Sequence, residues 1–161
     1  MINRRTWLLG AGALAGASVV GLSQRLTLAA EGDFEFTLTE AEWRERLSEM
    51  EFYVLREHGT ERAFTSPLDK VYDPGMYHCA GCDQALYSSD TKYDSRTGWP
   101  SFWEAEPGAI GTSVDNTFGM VRTECHCSRC GGHQGHIFDD GPEPTGKRHC
   151  INGVALRFVA A

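Results

Sequence analysis

Two Cys-x-x-Cys pairs constrain the fold of this chain more than any other feature of its sequence. Cys79 and Cys82 form the first pair, and Cys127 and Cys130 form the second. Four thiolates complete the tetrahedral coordination of a zinc ion and leave no open position for catalysis. We therefore predict one structural zinc ion per chain, which joins the two turns. The alternative is a pair of disulfides, which an oxidising compartment would favour.

The first 30 residues are typical of a targeting segment that precedes the folded domain. Arg4 and Arg5 come before an uncharged stretch rich in glycine and alanine, the pattern of a twin-arginine export signal. A membrane anchor or a buried helix is the alternative, although four glycines weaken this stretch as a helix. Ala29 and Ala30 offer a cleavage point, and retention as an N-terminal anchor stays open. We expect a periplasmic or otherwise exported protein.

The composition predicts one globular domain after this segment. The chain has 161 residues, 41% of them hydrophobic and 23% charged, which is enough for one core but short for two. Residues 31–37 are interpreted as a linker or arm and residues 38–161 as the domain. Without residues 1–30, 12 Lys and Arg stand against 22 Asp and Glu, a formal charge of −10. Such a surface repels phosphate backbones, so nucleic acid is a poor partner.

A helix is predicted at the start of this domain. Thr39, with Glu42 three residues later, has the pattern of a capping box. Gly59 is expected to end the helix. Apolar residues recur between these points at helical spacing and predict one buried face, made of Trp43, Leu47, Met50 and Val54.

Short strands are predicted beyond a loop at residues 60–75 that has room for one helical turn. Stretches punctuated by glycine predict strands at residues 76–79, 85–87, 119–126, 135–138 and 153–159. One or two N-terminal helices followed by an antiparallel β domain is the architecture that these patterns imply.

Cys150 lies outside the paired cysteines and beside basic residues. Arg148 and His149 precede it, and a neighbouring cation raises the fraction of a thiol that is ionised. His133 and His136, three residues apart, offer a general acid. A nucleophile and a proton donor are therefore both present. The alternative is that Cys150 is an inert core residue and that both histidines are merely solvated or hydrogen-bonded.

Seven motifs, in their order along the chain, resemble the B-type, R-specific peptide methionine sulfoxide reductases. The resemblance runs from about Thr39 to Phe158. The motifs are Glu51-Phe52-Tyr53-Val54, His58-Gly59-Thr60-Glu61, Tyr77-His78-Cys79-Ala80-Gly81-Cys82, Gly98-Trp99-Pro100-Ser101-Phe102, His133-Gln134-Gly135-His136-Ile137-Phe138, Asp140-Gly141-Pro142 and Thr145-Gly146-Lys147-Arg148-His149-Cys150-Ile151-Asn152.

The resemblance implies two antiparallel β-sheets with flanking N-terminal helices and structural zinc on the four paired cysteines. It also implies reduction of methionine R-sulfoxide, in proteins or free, to methionine, and hence repair of oxidised exported proteins. Cys150 matches the nucleophile, which attacks the sulfoxide sulfur and becomes a sulfenic acid. Trp99 and Phe138 match the apolar wall that receives the methyl group of the substrate.

Four further residues match polar positions of the same family site. His133 and His136 match the histidines that protonate the departing oxygen and hold substrate and water. Arg148 matches the residue that favours the thiolate, and Asn152 matches a polar support near it. The resemblance therefore assigns a role to every residue of the predicted site except the remaining cysteine.

The chain departs from the family where a sulfenic acid is usually resolved. Many members have a resolving cysteine just before Gly98, where this chain has Thr97, which cannot form a disulfide. Cys125 is the remaining thiol, and strand alternation places it on the side of Cys127, which predicts a buried or zinc-proximal thiol. A resolving role for Cys125 is the alternative. A thioredoxin-like protein or a small thiol is the expected reductant.

Three other positions differ from the usual family residues: Gln134, His149 and Gly153. We expect them to tune substrate access, and a protonated His149 would add positive charge beside Cys150. The competing function is a non-catalytic zinc-stabilised β-module that binds another protein through its acidic surface. A zinc hydrolase is excluded because the ligand set is closed.

Overall fold

A computed structural model describes residues 32–161, so the predicted export signal lies outside the described residues. None of the helices in this range is long and apolar enough to cross a membrane. The helices are α1 (Glu40–Arg46) and α2 (Glu49–Glu57). The strands are β1 (Gly75–Cys79), β2 (Ala85–Ser88), β3 (Lys92–Tyr93), β4 (Ser101–Phe102), β5 (Ile110–Asp115), β6 (Arg122–Cys127), β7 (His133–Phe138), β8 (Arg148–Ile151) and β9 (Leu156–Ala160).

The strands form two antiparallel sheets. The smaller sheet has the order β2-β1-β9, and the larger has the order β3-β4-β8-β7-β6-β5. Aromatic rings connect the sheets, because Tyr77 of β1 and Tyr87 of β2 both contact Phe102 of β4, with ring centroids 5.0 and 4.3 Å apart. The predicted fold class, two antiparallel sheets preceded by one or two helices, is confirmed.

The single long helix suggested by the apolar spacing is wrong, because the chain forms two helices there. The capping box of Thr39 and Glu42 is present and starts α1. Ser48 and Glu51 form a second capping box, in which the Glu51 carboxylate accepts from the Ser48 N–H at 2.8 Å. This box starts α2, and the backbone at Leu47 is extended. The second box is therefore the reason that the helix breaks.

The end of α2 and its buried face also differ from the prediction. His58, with a left-handed φ of 54°, caps the helix one residue before Gly59. A Cβ atom on Gly59 would lie 2.2 Å from the Tyr53 ring, so close packing requires glycine there. Met50 is 46% exposed and does not belong to the core. The buried side of α2 is formed by Phe52, Val54, Leu55 and Arg56.

Several strand boundaries differ from the predicted ones. The strand expected at residues 119–126 begins at Arg122, and the one expected at 153–159 begins at Leu156, because 3₁₀ turns occupy Thr117–Gly119 and Gly153–Ala155. The helical turn expected in the loop is present at Pro67–Lys70. The sequence did not predict β3, β4, β5 or β8, since β3 and β4 have two residues each and β8 begins with two basic residues.

Residues 32–37 form a packed arm and not a free linker. The Phe36 N–H donates to the carbonyl of Arg129 at 2.9 Å, and its ring lies 5.6 Å from that of Trp43. The Phe34 ring meets His126 edge-on at 5.8 Å. Two aromatic side chains therefore hold the arm against the domain, although the arm also carries Asp33 and Glu35.

Candidate active site and metal centre

The four paired cysteines come together in one buried cluster. Cys79 ends β1 and Cys127 ends β6, so the turn after each strand brings in the second cysteine of its pair. All four Sγ atoms lie within 4.8 Å of one another, with 3.7 Å between those of Cys79 and Cys130 and 3.5 Å between those of Cys82 and Cys127.

These separations fit a metal site better than disulfides. A tetrahedron with metal–sulfur bonds of about 2.3 Å has edges of about 3.8 Å, whereas a disulfide bond is about 2.05 Å long. All six cysteines are free thiols in the structure. The cluster can therefore hold a thiolate-preferring metal ion, and the alternative of two disulfides is not what the fold contains.

Two buried polar side chains contact this cluster from the domain. Arg56 donates from Nη1 to the carbonyl of Cys130 at 3.0 Å, and its guanidinium lies 4.7 Å from the Trp43 ring. Gln134 donates from Nε2 to the Cys79 sulfur at 3.5 Å. Four thiolates on a divalent ion have a net negative charge, which a cation and an amide donor at this distance both stabilise.

Cys150 lies on the wall of a separate cavity of about 120 Å³. This cavity brings together five of the predicted site residues and three that were not predicted. The lining residues are Thr60, Trp99, Arg122, Gly135, His136, Phe138, Cys150 and Asn152. The site is therefore built by β7, by β8 and the residue after it, by the start of β6, and by the loops after α2 and before β4.

Strand register determines which side chains face Cys150. His136 of β7 lies directly opposite Cys150 of β8, and Glu124 of β6 lies opposite His136. Directly opposed residues share a face of the sheet, so these three side chains point to the same side. A Cβ atom on Gly135 would lie 2.0 Å from the Cys150 carbonyl oxygen, so glycine allows β7 and β8 to approach this closely.

A β-bulge brings His133 to the same face as His136. Residues three apart in a regular strand point to opposite faces. Cys125 pairs with Gly135 but His126 pairs with His133, so Gln134 is an extra residue in β7. The two predicted histidines consequently meet with ring centroids 5.3 Å apart.

Two carboxylates orient these histidines, and sequence reasoning missed both. Glu124 bonds His133 Nδ1 at 2.8 Å and also His126 Nδ1 at 2.8 Å. Asp115 bonds His136 Nε2 at 2.8 Å. Glu124 and His126 alternate in the predicted strand and therefore share a face, a pattern that could have pointed to Glu124. Asp115 ends β5, a strand that the sequence did not predict, so no signal pointed to it.

Both carboxylates remain ionised although they are largely buried. Burial raises the pKa of Glu124, but hydrogen bonds from His126, His133 and Ser113 lower it well below its usual value. Burial likewise raises the pKa of Asp115, and hydrogen bonds from Thr117 and His136 outweigh this effect. For His136, burial lowers the pKa and the bond to Asp115 opposes the change.

Arg148 lies on the Cys150 side of β8, and His149 lies on the other side. Burial raises the pKa of Cys150, while Arg148 and a hydrogen bond from Thr97 oppose this. Arg148 is itself held by Asp140 through two bonds of 2.8 and 3.0 Å. His149 contacts the Tyr87 hydroxyl at 3.3 Å in the core, and burial lowers its pKa to about 4. His149 therefore adds no charge beside Cys150 near neutral pH.

Asn152 and Trp99 are fixed by the same backbone segment. The Glu61 N–H donates to Asn152 Oδ1 at 2.8 Å, and the Glu61 carbonyl accepts from Trp99 Nε1 at 2.9 Å. Asn152 Nδ2 also donates to the Gln134 carbonyl at 3.0 Å. Asn152 thus supports the bulge that positions the histidines.

The structure does not bring Cys125 to Cys150. Cys125 is opposite Gly135, which is opposite Ile151, so its side chain points to the other face of the sheet from Cys150. It is fully buried, and burial raises the pKa of its thiol. Thr97 is close instead, with its hydroxyl oxygen 3.9 Å from the Cys150 sulfur.

Comparison with known proteins places this geometry in a family. The SelR domain model matches residues 47–160. The chain is 53% identical over 121 residues to the peptide methionine sulfoxide reductase MsrB of Agrobacterium fabrum, covering 74% of this chain and 90% of that protein. It is 47% identical over 127 residues to the MsrB of Leptospira interrogans, covering 78% and 97%.

A third relative, the MsrB of Methanosarcina mazei, is 49% identical over 122 residues, which cover 75% of this chain and 87% of that protein. The domain match at residues 47–160 includes both the cysteine cluster and the residues of the Cys150 cavity. The chain therefore belongs to the SelR-domain family of B-type peptide methionine sulfoxide reductases.

Proposed function

We propose that this chain reduces methionine R-sulfoxide, in peptides or free, to methionine. The observation that carries the proposal is the cavity in which Cys150 and His136 face one another beside Trp99 and Phe138. The names of the relatives specify a peptide methionine sulfoxide reductase, and the cavity supplies the groups that this reaction needs. A non-catalytic binding module would have no use for such an arrangement.

Cys150 acts as the nucleophile. Its thiolate attacks the sulfoxide sulfur while a histidine gives a proton to the sulfoxide oxygen. The oxygen ends on the Cys150 sulfur as a sulfenic acid, and methionine leaves. The substrate sulfur gains the two electrons that the cysteine sulfur loses, so the step is balanced.

The two carboxylates fix the orientation and tautomer of the two histidines. Asp115 engages one nitrogen of His136, and Glu124 engages one nitrogen of His133. Such a bond fixes the orientation and tautomer of an imidazole. In each ring the other nitrogen is left to bond substrate or water. His136, opposite Cys150, is the group best placed to protonate the oxygen.

Arg148 and Asn152 support the nucleophile and the bulge. Burial raises the pKa of Cys150, and the Arg148 guanidinium opposes part of this rise, which favours the thiolate. Asn152 holds the Gln134 carbonyl and so maintains the positions of His133 and His136.

An asymmetric cavity explains selection of one sulfoxide isomer. Trp99 and Phe138 offer apolar surface for the methyl group, whereas His136 and Asn152 offer polar partners for the oxygen. In a chiral sulfoxide these two substituents exchange places between isomers, so only one isomer satisfies both sides.

We propose that the four-cysteine cluster holds one structural zinc ion. Zinc is the usual metal of a closed four-thiolate site, and the sulfur separations agree with its bond length. When bound, the metal cross-links the end of β1 to the end of β6. Arg56 and Gln134 stabilise the thiolates that bind it.

An external thiol returns the sulfenic acid to the thiol. The first thiol forms a mixed disulfide with Cys150 and releases water, and a second thiol releases the disulfide product. Cys125 is unsuited to this step because it is buried on the other face of the sheet. A thioredoxin-like protein or a small thiol is the proposed donor.

We propose that the chain is exported through the twin-arginine route to repair oxidised exported proteins. The Arg4-Arg5 pattern and the apolar stretch after it support this location. Replacing both residues with lysine preserves their charge and should leave the full chain in the cytoplasmic fraction. Unchanged export of that variant would overturn the proposal.

The proposed activity is tested with the full zinc-loaded chain, racemic dabsyl-methionine sulfoxide and dithiothreitol, followed on a chiral column. We expect loss of the R form alone, and no loss with Cys150→Ser. If Cys150→Ser turns over at a comparable rate, the assigned nucleophile is wrong. If the parent protein consumes neither form, the binding-module alternative is favoured.

A further inference from the structure

Three hydroxyl groups form a chain that ends at the Cys150 sulfur. Thr97 Oγ1 lies 3.9 Å from Cys150 Sγ and 2.8 Å from Ser95 Oγ. Ser95 Oγ lies 2.7 Å from Ser101 Oγ, which donates to the Trp99 carbonyl at 3.1 Å. Ser101 is fully buried on β4, directly opposite Cys150 of β8. This hydroxyl chain is thus part of the framework that surrounds the nucleophile.

The direction of these hydrogen bonds depends on the state of Cys150. Each hydroxyl has one hydrogen to donate. When Ser101 gives its hydrogen to the Trp99 carbonyl, it can only accept from Ser95. Ser95 must then accept from Thr97. Thr97 has no hydrogen left and can only accept from Cys150. This direction suits a thiol or a sulfenic acid, which have a hydrogen to give. A thiolate has none, so it requires the opposite direction, with Thr97 donating to sulfur.

We propose that Thr97 is a positioning residue for Cys150, and that the hydroxyl chain of Thr97, Ser95 and Ser101 reverses its direction as Cys150 passes through its reaction states. It donates toward the thiolate before attack and accepts from the sulfenic acid afterwards. The second half of this statement rests on the proposed function, because that reaction forms the sulfenic acid.

Other charged and titratable groups lie near the Cys150 sulfur, so the contribution of the hydroxyl must be isolated from theirs. Arg148 is on the same strand, His136 is across from it on β7, and Asp140 follows β7. Tyr93 of β3 and Cys125 of β6 also interact electrostatically with it. A change at Thr97 that preserves shape leaves all five in place.

The test compares Thr97→Val, which keeps the branched shape and removes the hydroxyl, with Thr97→Ser, which keeps the hydroxyl. Alkylation of Cys150 by iodoacetamide is followed against pH in the full zinc-loaded chain by mass spectrometry of the Cys150 peptide. The midpoint should rise by about 0.5 to 1 pH unit in Thr97→Val, the size of one weak hydrogen bond to a charged sulfur. Thr97→Ser should retain the parent midpoint.

A second readout follows the sulfenic acid. Methionine R-sulfoxide is added without a reductant, and dimedone traps the product at increasing times. In the absence of a reductant the sulfenic acid is lost by condensation with a thiol of a second molecule, which forms a disulfide and releases water. We expect the trapped fraction to fall several-fold faster in Thr97→Val than in the parent or Thr97→Ser, because the sulfenic acid has lost its hydrogen-bond acceptor. If no sulfenic acid forms in the parent protein, the proposed function has failed, whereas the alkylation profile still tests the hydroxyl chain.

An unchanged alkylation midpoint in Thr97→Val would overturn the proposal. So would a Thr97→Ser variant that behaves like valine, because the effect would then come from shape. Ser101→Ala removes the far end of the chain and should shift the midpoint in the same direction by a smaller amount. This variant keeps the proposal falsifiable if Thr97→Val does not fold, and no shift in Ser101→Ala would then count against it.

Discussion

The four-cysteine cluster and the Cys150 cavity use the same kind of side chain for opposite purposes. In the cluster, Cys79 and its three partners are at most 3% exposed and each has other thiols as neighbours. Cys150 is partly exposed on a cavity wall and faces a histidine and an arginine. Thiolates that complete the coordination of a metal ion are inert. A thiolate that is open to a cavity and has a proton donor beside it is reactive.

Gln134 connects these two regions physically. As the extra residue of the β7 bulge, it separates His133 from His136, and its carbonyl is held by Asn152. Its side chain points the other way and donates to the Cys79 sulfur. Damage to one region is therefore expected to reach the other through this residue.

The largest effect is expected from breaking the metal cluster. Cys127→Ser should lose zinc and the cooperative unfolding transition, because structural zinc contributes about 10 to 16 kcal/mol in small domains, as much as a whole domain's stability. Metal analysis and thermal unfolding measure this. Cys125→Ala, two residues earlier, should keep both zinc and dithiothreitol-driven turnover. Equal zinc content in Cys127→Ser and the parent would contradict the assigned ligands.

The next effect is on the cavity alone. His136→Asn cannot supply a proton, so turnover should fall by about 10²- to 10⁴-fold while zinc content stays unchanged. His149→Phe is the matched control, since His149 lies on the other face of β8 and should tolerate the change with near-normal turnover. A fall of less than about tenfold in His136→Asn would move the acid role to another group.

A smaller effect is expected from the carboxylate that bonds two histidines. Glu124→Gln should lower the free energy of unfolding by about 1 to 3 kcal/mol at pH 7, because the amide presents a donor to an imidazole N–H. The pKa of Glu124 is lowered by folding, so its contribution is present above the unfolded value near 4.3 and is lost as pH falls through the folded pKa.

Urea unfolding at a series of pH values measures this contribution. The parent should lose stability on acidification below about pH 4, and Glu124→Gln should lose less over the same range. Ser113→Ala, which removes one hydrogen bond to the same carboxylate and leaves its charge, is the milder comparison. Identical slopes for the parent and Glu124→Gln would show that this carboxylate is not ionised in the folded protein.

The smallest effect tests the connection between the regions. Gln134→Leu loses the donor to Cys79 but also removes a buried amide oxygen that has no hydrogen-bond partner, so stability should change by less than about 1 kcal/mol. Zinc transfer to a chelator should nevertheless become faster, since one thiolate loses its hydrogen bond. An unchanged transfer rate would mean that the two regions act independently.

The contrast between the regions also explains what could be predicted from sequence. The four cysteines of the cluster lie in two tight turns, so a local spacing such as that of Cys79 and Cys82 is enough to predict a ligand pair. The cavity depends on register between strands distant in sequence, and neither Asp115 nor the bulge at Gln134 leaves a local pattern. The residue pattern and the resemblance to a family both pointed to His133 and His136, but neither explained how residues three apart share a face.

The helical region shows a different kind of miss. Ser48 and Glu51 have the same capping pattern as Thr39 and Glu42, so the break between α1 and α2 was readable from the sequence. Apolar residues continue at helical spacing across the break and obscured it. The face of β8 on which His149 lies could not be predicted from the sequence, because β8 is short and polar. Which of its two faces is buried is decided by its pairing with β4 and β7.

The pairing of β1 with β9 has a consequence for synthesis on the ribosome. β9 is made after every other described strand, so β1 and β2 at first form a two-stranded hairpin, which is marginal in water. All four cluster cysteines emerge before β9 does, because Cys130 precedes Leu156 by 26 residues. A metal ion bound by these four thiolates would therefore anchor β1 to the larger sheet before β9 leaves the ribosome.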